Sequence, residues 1–252
     1  MGLSLAGCVV ISLRPAGAHA SMRRAAAAYG ARVLALSPWR LQVLDDARSR
    51  AALAAALGAP RVLFTSPAAV DAARSMEQLR PAGAACWLAV GAGTAAALAQ
   101  DGIEALAPER MDSEGLLALP PLQHLAGIAV GLVTAPGGRG MLEPALRRRG
   151  AQVLRADVYE RIALAPSTRA ISALRALRGP TWLALGSAGA LDGVLAGLPD
   201  DAARILRGAA VVAASARLGE LAAARGFAQV VIAASAMPCD LMAAAAAAHP
   251  LA

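Results

Sequence analysis

Short apolar runs recur along the chain at 8–13, 32–36, 61–65, 86–90, 103–106, 128–134, 152–155, 181–185, 209–214 and 229–233. Longer amphipathic stretches fill most of the gaps, among them 17–29, 45–57, 67–79, 93–101, 138–149, 188–196 and 215–225. The short runs read as strands and the longer ones as helices. Strict alternation of the two predicts an α/β chain of parallel sheets covered by helices on both faces. Helix starts are signalled by Thr65-Ser66-Pro67, Ser113-Glu114 and Ser187, because a hydroxyl before an apolar run caps free backbone N–H groups.

The pattern also repeats. Val10 to Gly17, a helical run, then Gly30 and a second apolar run match Val130 to Gly137, a helical run, then Gly150 and another apolar run, all 120 positions on. Leu63 to Asp71 resembles Ala184 to Asp192, and the segment from Ala89 through Gly102 resembles that from Ala213 through Gly226. Three modules in one order are too long a period for a solenoid. They imply two similar domains in tandem, an arrangement in which a ligand is expected between the two.

Composition narrows the chemistry. Of 252 residues, 58% are hydrophobic and only 3% aromatic, so the cores are built of Ala, Leu and Val. Every basic residue apart from the histidines is Arg, which excludes Schiff-base and P-loop lysines. The net charge of +7 comes from guanidinium groups, which bind carboxylate or phosphate in a fork. Arg147-Arg148-Arg149 is the one dense basic run, and with few aromatics to stack on bases no nucleic-acid partner is expected. Cys8, Cys86 and Cys239 are far apart, and His19, His124 and His249 are isolated in sequence, so no metal site assembles from neighbours. His249 follows the alanine run 243–248 and is expected near a frayed end. The first apolar run has no preceding positive charge and reappears internally, so it reads as a strand rather than a signal segment. The uncharged stretch between Glu114 and Arg139 is broken by Pro120, Pro121, Gly127, Gly131 and Pro136, so no membrane span is expected.

Ligands of parallel sheets bind beyond the carboxyl ends of the strands, where helix N-termini favour anions. The residues at those turns are small, hydroxylated or cationic. Arg14, Thr65, Ser66, Thr94, Ser113, Gly138, Arg139, Ser187, Ser215 and Arg217 are the candidates for an anion-binding cleft. Gly91-Ala92-Gly93-Thr94 is too short for a dinucleotide fingerprint, and no GxSxG stands anywhere.

Seven segments resemble one family in order and spacing: LRPAG at 13–17, VLFTSPAAVDA at 62–72, LAVGAGTAAALAQDGI at 88–103, SEGLLAL at 113–119, GGRGMLEPALRRRGAQVLRADVYER at 137–161, GSAGALDGVL at 186–195 and SARLGELAAARGF at 215–227. They are similar to uroporphyrinogen-III synthase, and the resemblance spans nearly the whole chain. It implies two α/β lobes joined by two antiparallel linker strands with a cleft between, one lobe formed by 1–37 plus 164–252 and the other by 43–158, with linkers at 38–42 and 158–163. The activity it implies is cyclisation of hydroxymethylbilane to uroporphyrinogen III, with inversion of ring D and loss of water, by a cytoplasmic, cofactor-independent lyase of tetrapyrrole (haem) biosynthesis that works as a monomer. The family's conserved tyrosine corresponds to Tyr159, expected to hydrogen-bond the departing hydroxyl, while the turn residues named above meet the substrate's carboxylates. The chain departs from the family pattern at Leu13, Thr134-Ala135-Pro136, Gly186 and Leu218. A non-catalytic two-lobed binding protein for an anionic small molecule or tetrapyrrole is the competing reading.

Overall fold

The structure is a computed structural model and describes residues 4–110, 112–137 and 140–249. It divides into two compact units, residues 1–40 with 162–252 and residues 41–161.

The first unit is a parallel five-stranded sheet. Its strands are β1 (Val9–Ser12), β2 (Arg32–Ala35), β9 (Thr181–Leu185), β10 (Ala210–Ala213) and β11 (Val230–Ile232), in the order β11-β10-β9-β1-β2. Alternate residues face opposite ways in a strand. Ile11, Leu183 and Val211 therefore pack on one face, under α7 (Thr168–Arg175), α8 (Ala188–Gly197), α9 (Asp200–Arg207) and α10 (Ala216–Ala224). Val10, Trp182 and Val212 pack on the other, under α1 (Ala20–Ala27) and α11 (Pro238–Ala248). Far from fraying, the alanine run is α11, whose Ala245 and Ala246 are buried in the cluster that holds Met22 and Ala26 of α1. Small side chains let the two helices approach.

The second unit is a parallel four-stranded sheet in the order β5-β4-β6-β7, formed by β4 (Arg61–Phe64), β5 (Cys86–Ala89), β6 (Ala129–Thr134) and β7 (Gln152–Asp157). Val62, Phe64 and Val133 face α2 (Ala47–Leu57), α3 (Pro67–Met76) and α4 (Ala92–Ala99). Leu63, Val130 and Leu132 face α5 (Ser113–Ala118) and α6 (Leu142–Arg148). Gly131 in β6 is a packing requirement: a Cβ there would lie 2.0 Å from the Ala56 carbonyl oxygen of α2. The chain passes between the units in β3 (Trp39–Val43) and β8 (Tyr159–Ala163), which pair as a two-stranded sheet.

The sequence repeat is the sheet repeat. The order β5-β4-β6-β7 reproduces β10-β9-β1-β2, and β11 is added in the first unit. Gly30 and Gly150 stop the helices α1 and α6 at φ of 78° and 85°, a conformation that glycine adopts without penalty. One expected strand is absent. The run 103–106 makes a single bridge, Leu88 to Leu106, because Pro108 follows and has no N–H with which to extend a ladder. Helices α1 and α6 also start later than their apolar patterns do, at Ala20 and Leu142, because a glycine turn precedes each of them.

Candidate functional site

In the second unit, the carboxyl ends of β4 and β6 open into a cavity of about 350 Å³. Strand β4 is followed by Thr65, whose hydroxyl donates to Thr134 Oγ1 at 2.8 Å, joining the ends of β4 and β6. Ser66 follows in extended conformation and caps α3: its Oγ accepts from the Ala69 N–H at 3.0 Å, with Pro67 at the first helical position. The same Oγ lies 3.2 Å from the hydroxyl of Tyr159, the first residue of β8. Tyr159 is 4% exposed, so its ring is part of the core, and both Tyr159 and Ser66 line the cavity. Whichever hydroxyl donates, the other keeps its hydrogen for a ligand.

The remaining wall carries both signs of charge. Arg155 of β7 donates to Asp157 and to Glu143, and Glu143 also accepts from Arg147. The hydrogen bonds from Arg147 and then Arg155 hold the Glu143 carboxyl below its usual range, and the hydrogen bonds that Arg155 donates to Asp157 and Glu143 raise Arg155. Asp112, rather than Ser113, caps α5: its Oδ1 accepts from the Gly115 N–H at 2.8 Å, and Arg110 pairs with its other oxygen. Arg161 and Ser113 also line the cavity. Among the described residues of the wall, Asp112 and Glu143 stand against Arg155 and Arg161, so their charges balance. The donors this wall offers are hydroxyl and guanidinium groups.

Of the residues singled out in sequence, the cavity brings together Thr65, Ser66, Ser113 and Tyr159. Thr94 is placed in the interior of the second unit, 2% exposed in the third position of α4, where Val90 rather than Thr94 meets the cavity. Gly138 and Arg139 lie outside the described residues. Arg14, Ser187, Ser215 and Arg217 sit at the carboxyl ends of the first unit's strands. There Ser187 and Ser215 cap α8 and α10 through Ala190 N–H and Leu218 N–H, both at 3.4 Å. A capping serine accepts with a lone pair, so its O–H is still a donor.

Sequence reasoning missed Thr134, Arg155 and Arg161, although Thr134 stands 120 positions beyond Arg14 and so marks the same turn in the repeat. It also missed the surroundings of His19, which is not isolated. The ring is 6% exposed at the start of α1, with Nδ1 3.0 Å from Ser12 Oγ and Nε2 2.8 Å from Ser37 Oγ. Burial, then the charges of Arg23 and Arg14, push its pKa below the ordinary imidazole value of 6.5. Among the described residues no cluster of His, Cys, Asp and Glu is arranged to hold a metal. No helix among them is long and apolar enough to cross a membrane.

No curated protein matches the sequence. Solved structures do share the fold. One from Helicobacter pylori 26695, a uroporphyrinogen-III synthetase, has a TM-score of 0.60 at 13% identity, over 95% of this chain and 99% of that one. A mutant uroporphyrinogen III synthase from the extremely thermophilic bacterium Thermus thermophilus has a TM-score of 0.57 at 21% identity, over 88% of this chain and 92% of that one. At such identities the likeness speaks for the architecture of paired α/β units. The sequence family described as "Uroporphyrinogen-III synthase HemD" matches residues 20–243. That span contains Tyr159, every described cavity residue and most of both units, and so the chain belongs to the uroporphyrinogen-III synthase family.

Proposed function

We propose that the cavity at the ends of β4 and β6 is where this synthase holds the reacting end of hydroxymethylbilane, and that Tyr159 assists departure of its hydroxyl. The observation that carries this is the shared hydrogen bond between Tyr159 and Ser66, which leaves one hydroxyl hydrogen available at the cavity wall. The leaving hydroxyl accepts that hydrogen bond as its C–O bond breaks, and the pyrrole nitrogen supplies the electron pair, giving an azafulvene and water. The pyrrole N–H proton is released as the water forms. The substituted carbon of ring D then attacks the methylene to give a spiro intermediate, the original bond from that carbon to its bridging carbon breaks, and the freed bridging carbon joins the other α carbon of ring D, which loses its proton, so that the ring closes inverted. The protein's contribution is to hold the chain so that the substituted carbon is the one presented. Thr134, Ser113 and Arg161 supply donors for carboxylate side chains near that end, while the hydroxyls of Thr65 and Ser66 hold Thr134 and Tyr159 in place. The turns bearing Arg14, Ser187, Ser215 and Arg217 supply a second set for the rest of a polycarboxylate. The departures at Leu13 and Gly186 remove side-chain donors from that set, whereas the capping serines keep theirs.

The direct test supplies freshly prepared hydroxymethylbilane and separates the I and III isomers of the product. The III isomer should exceed the background of spontaneous closure. Identical isomer profiles with and without protein would sink the catalytic reading.

A further inference from the structure

Two pieces of local order meet around Arg14. The loop 13–19 that carries it leaves β1 at Ser12 and enters α1 after His19. It is tied on one side by Ala16 N–H donating to Trp39 O at 2.9 Å, and the turn inside it closes through Ala18 N–H to Pro15 O, with Gly17 at φ 85°. The ends of the loop are tied by His19, whose two nitrogens engage Ser12 before the loop and Ser37 after β2. A neutral imidazole donates from one nitrogen and accepts at the other, so both serine hydroxyls are satisfied by one ring. Ser12 is fully buried and cannot find water as a substitute partner.

The repeat offers an independent comparison. In the second unit the corresponding loop starts at Thr134, and Arg155 ties it to the neighbouring strand by donating to Ala135 O, Glu143 and Asp157. Asp157 stands 120 positions beyond Ser37. Both units therefore anchor the strand-to-helix loop to the following strand through side chains, one by an ion-pair network and the other by a buried histidine. The loop tied by Arg155 forms part of the cavity wall.

We infer that His19 is a positioning residue for substrate binding: by bridging Ser12 and Ser37 it fixes the loop that presents Arg14 to a carboxylate of the substrate. The inference rests on the reading of Arg14 as a carboxylate ligand. The ring is buried and both of its nitrogens are engaged by the two serines, which leaves it no polar atom for a ligand. Its effect passes through the loop, and so belongs in KM rather than in the chemical step.

The experiment measures KM and kcat for hydroxymethylbilane, together with melting temperature, in Arg14→Gln, His19→Ala, His19→Gln and the double variant Arg14→Gln/His19→Ala. His19→Ala should raise KM about 3- to 10-fold, the range for a lost hydrogen bond, with kcat within about twofold. His19→Gln, which keeps a donor and an acceptor, should recover part of that loss. The double variant should be no worse than Arg14→Gln alone, because the histidine acts only through the arginine. If Arg14→Gln raises KM and His19→Ala does not, the inference falls while Arg14 stands as a ligand. If Arg14→Gln leaves KM unchanged, the reading of Arg14 falls and takes the inference with it. Additive losses, or a fall in kcat alongside melting temperature, would reduce His19 to a structural role. Should His19→Ala fail to fold, the His19→Gln and Arg14→Gln pair still decides by the same additivity.

Discussion

Tyr159 and Ser66 share one hydrogen bond of 3.2 Å, and Ser66 at the same time caps α3 through the Ala69 N–H. The cap sets the serine and the serine sets the phenol, so a residue of β8 is held to the start of a helix 93 positions earlier in the chain. The phenol ring is buried and the serine half-buried, which limits the rotations open to either group.

Tyr159→Phe keeps the buried ring and removes only the hydroxyl. Ser66 retains its bond to the Ala69 N–H, so no buried donor is stranded and the loss of stability should stay within about 1 kcal/mol. Turnover should fall about 10- to 1000-fold if the phenol assists departure of the hydroxyl. Unchanged turnover at unchanged melting temperature would make Tyr159 a packing residue.

Ser66→Ala removes both bonds at once. Losing the cap should cost about 0.5–2 kcal/mol, read by urea denaturation. Turnover should also fall, and the losses from Ser66→Ala and Tyr159→Phe should not add in the double variant, because each removes the same contact. Additive losses in turnover would mean that the two hydroxyls act separately.

Much of the fold was legible in the sequence, because the alternation of apolar runs and amphipathic stretches has a local signature. The repeat was legible because Gly30 and Gly150 meet the same conformational demand at the ends of α1 and α6. The candidate site was legible at Thr65, Ser66 and Tyr159, the first two because a hydroxylated strand-to-helix turn is a local motif and the third through family resemblance. Arg155, Glu143 and His19 were not. The bonds that join Arg155 to Glu143 and His19 to Ser12 and Ser37 reach between 7 and 18 positions, and no local pattern announces which charge or hydroxyl will be met. Asp112 took the capping place that Ser113-Glu114 suggested, since one residue of phase decides which side chain faces the free N–H groups. Thr94 was singled out as a strand-to-helix turn residue, but it is the third residue of α4 and is buried.

Glu143→Gln tests the charge balance of the cavity. It removes one negative charge from the wall and leaves an amide that still accepts from Arg155 or Arg147. A polycarboxylate should then bind more tightly, with KM lower by about two- to fivefold at low salt and the gain fading as screening shortens the reach of the charge. A rise in KM at all salt concentrations would show that Glu143 serves mainly to hold Arg155 in place.

Gly131→Ala tests how α2 is seated. The added methyl would stand 2.0 Å from Ala56 O and 2.7 Å from its carbonyl carbon, and backbone atoms cannot rotate away as a side-chain tip would. Helix α2 must shift on β6 and β7, at a cost of about 1–3 kcal/mol or more. The chemical denaturation midpoint should drop with little change in its slope. A midpoint equal to that of the parent chain would mean that α2 slides freely over the sheet.

His19 gives the stability of the first unit a defined dependence on pH. Its folded-state pKa lies below the ordinary value of 6.5, because burial and the nearby Arg23 and Arg14 disfavour the charged ring. In the unfolded chain those causes vanish. As pH falls through about 6.5 the unfolded state takes up a proton that the folded state refuses, so stability is present above that value and is lost on acidification, until the folded pKa is reached. His19→Gln has no proton to take up. Urea denaturation at about pH 7.5 and about pH 5.5 should show a smaller difference for the variant than for the parent chain. The carboxylates, which begin to protonate at lower pH, contribute alike to both. Equal differences in the two proteins would mean that the buried ring titrates as it does in the unfolded chain, and that its two serine partners accommodate the charged form as readily as the neutral one.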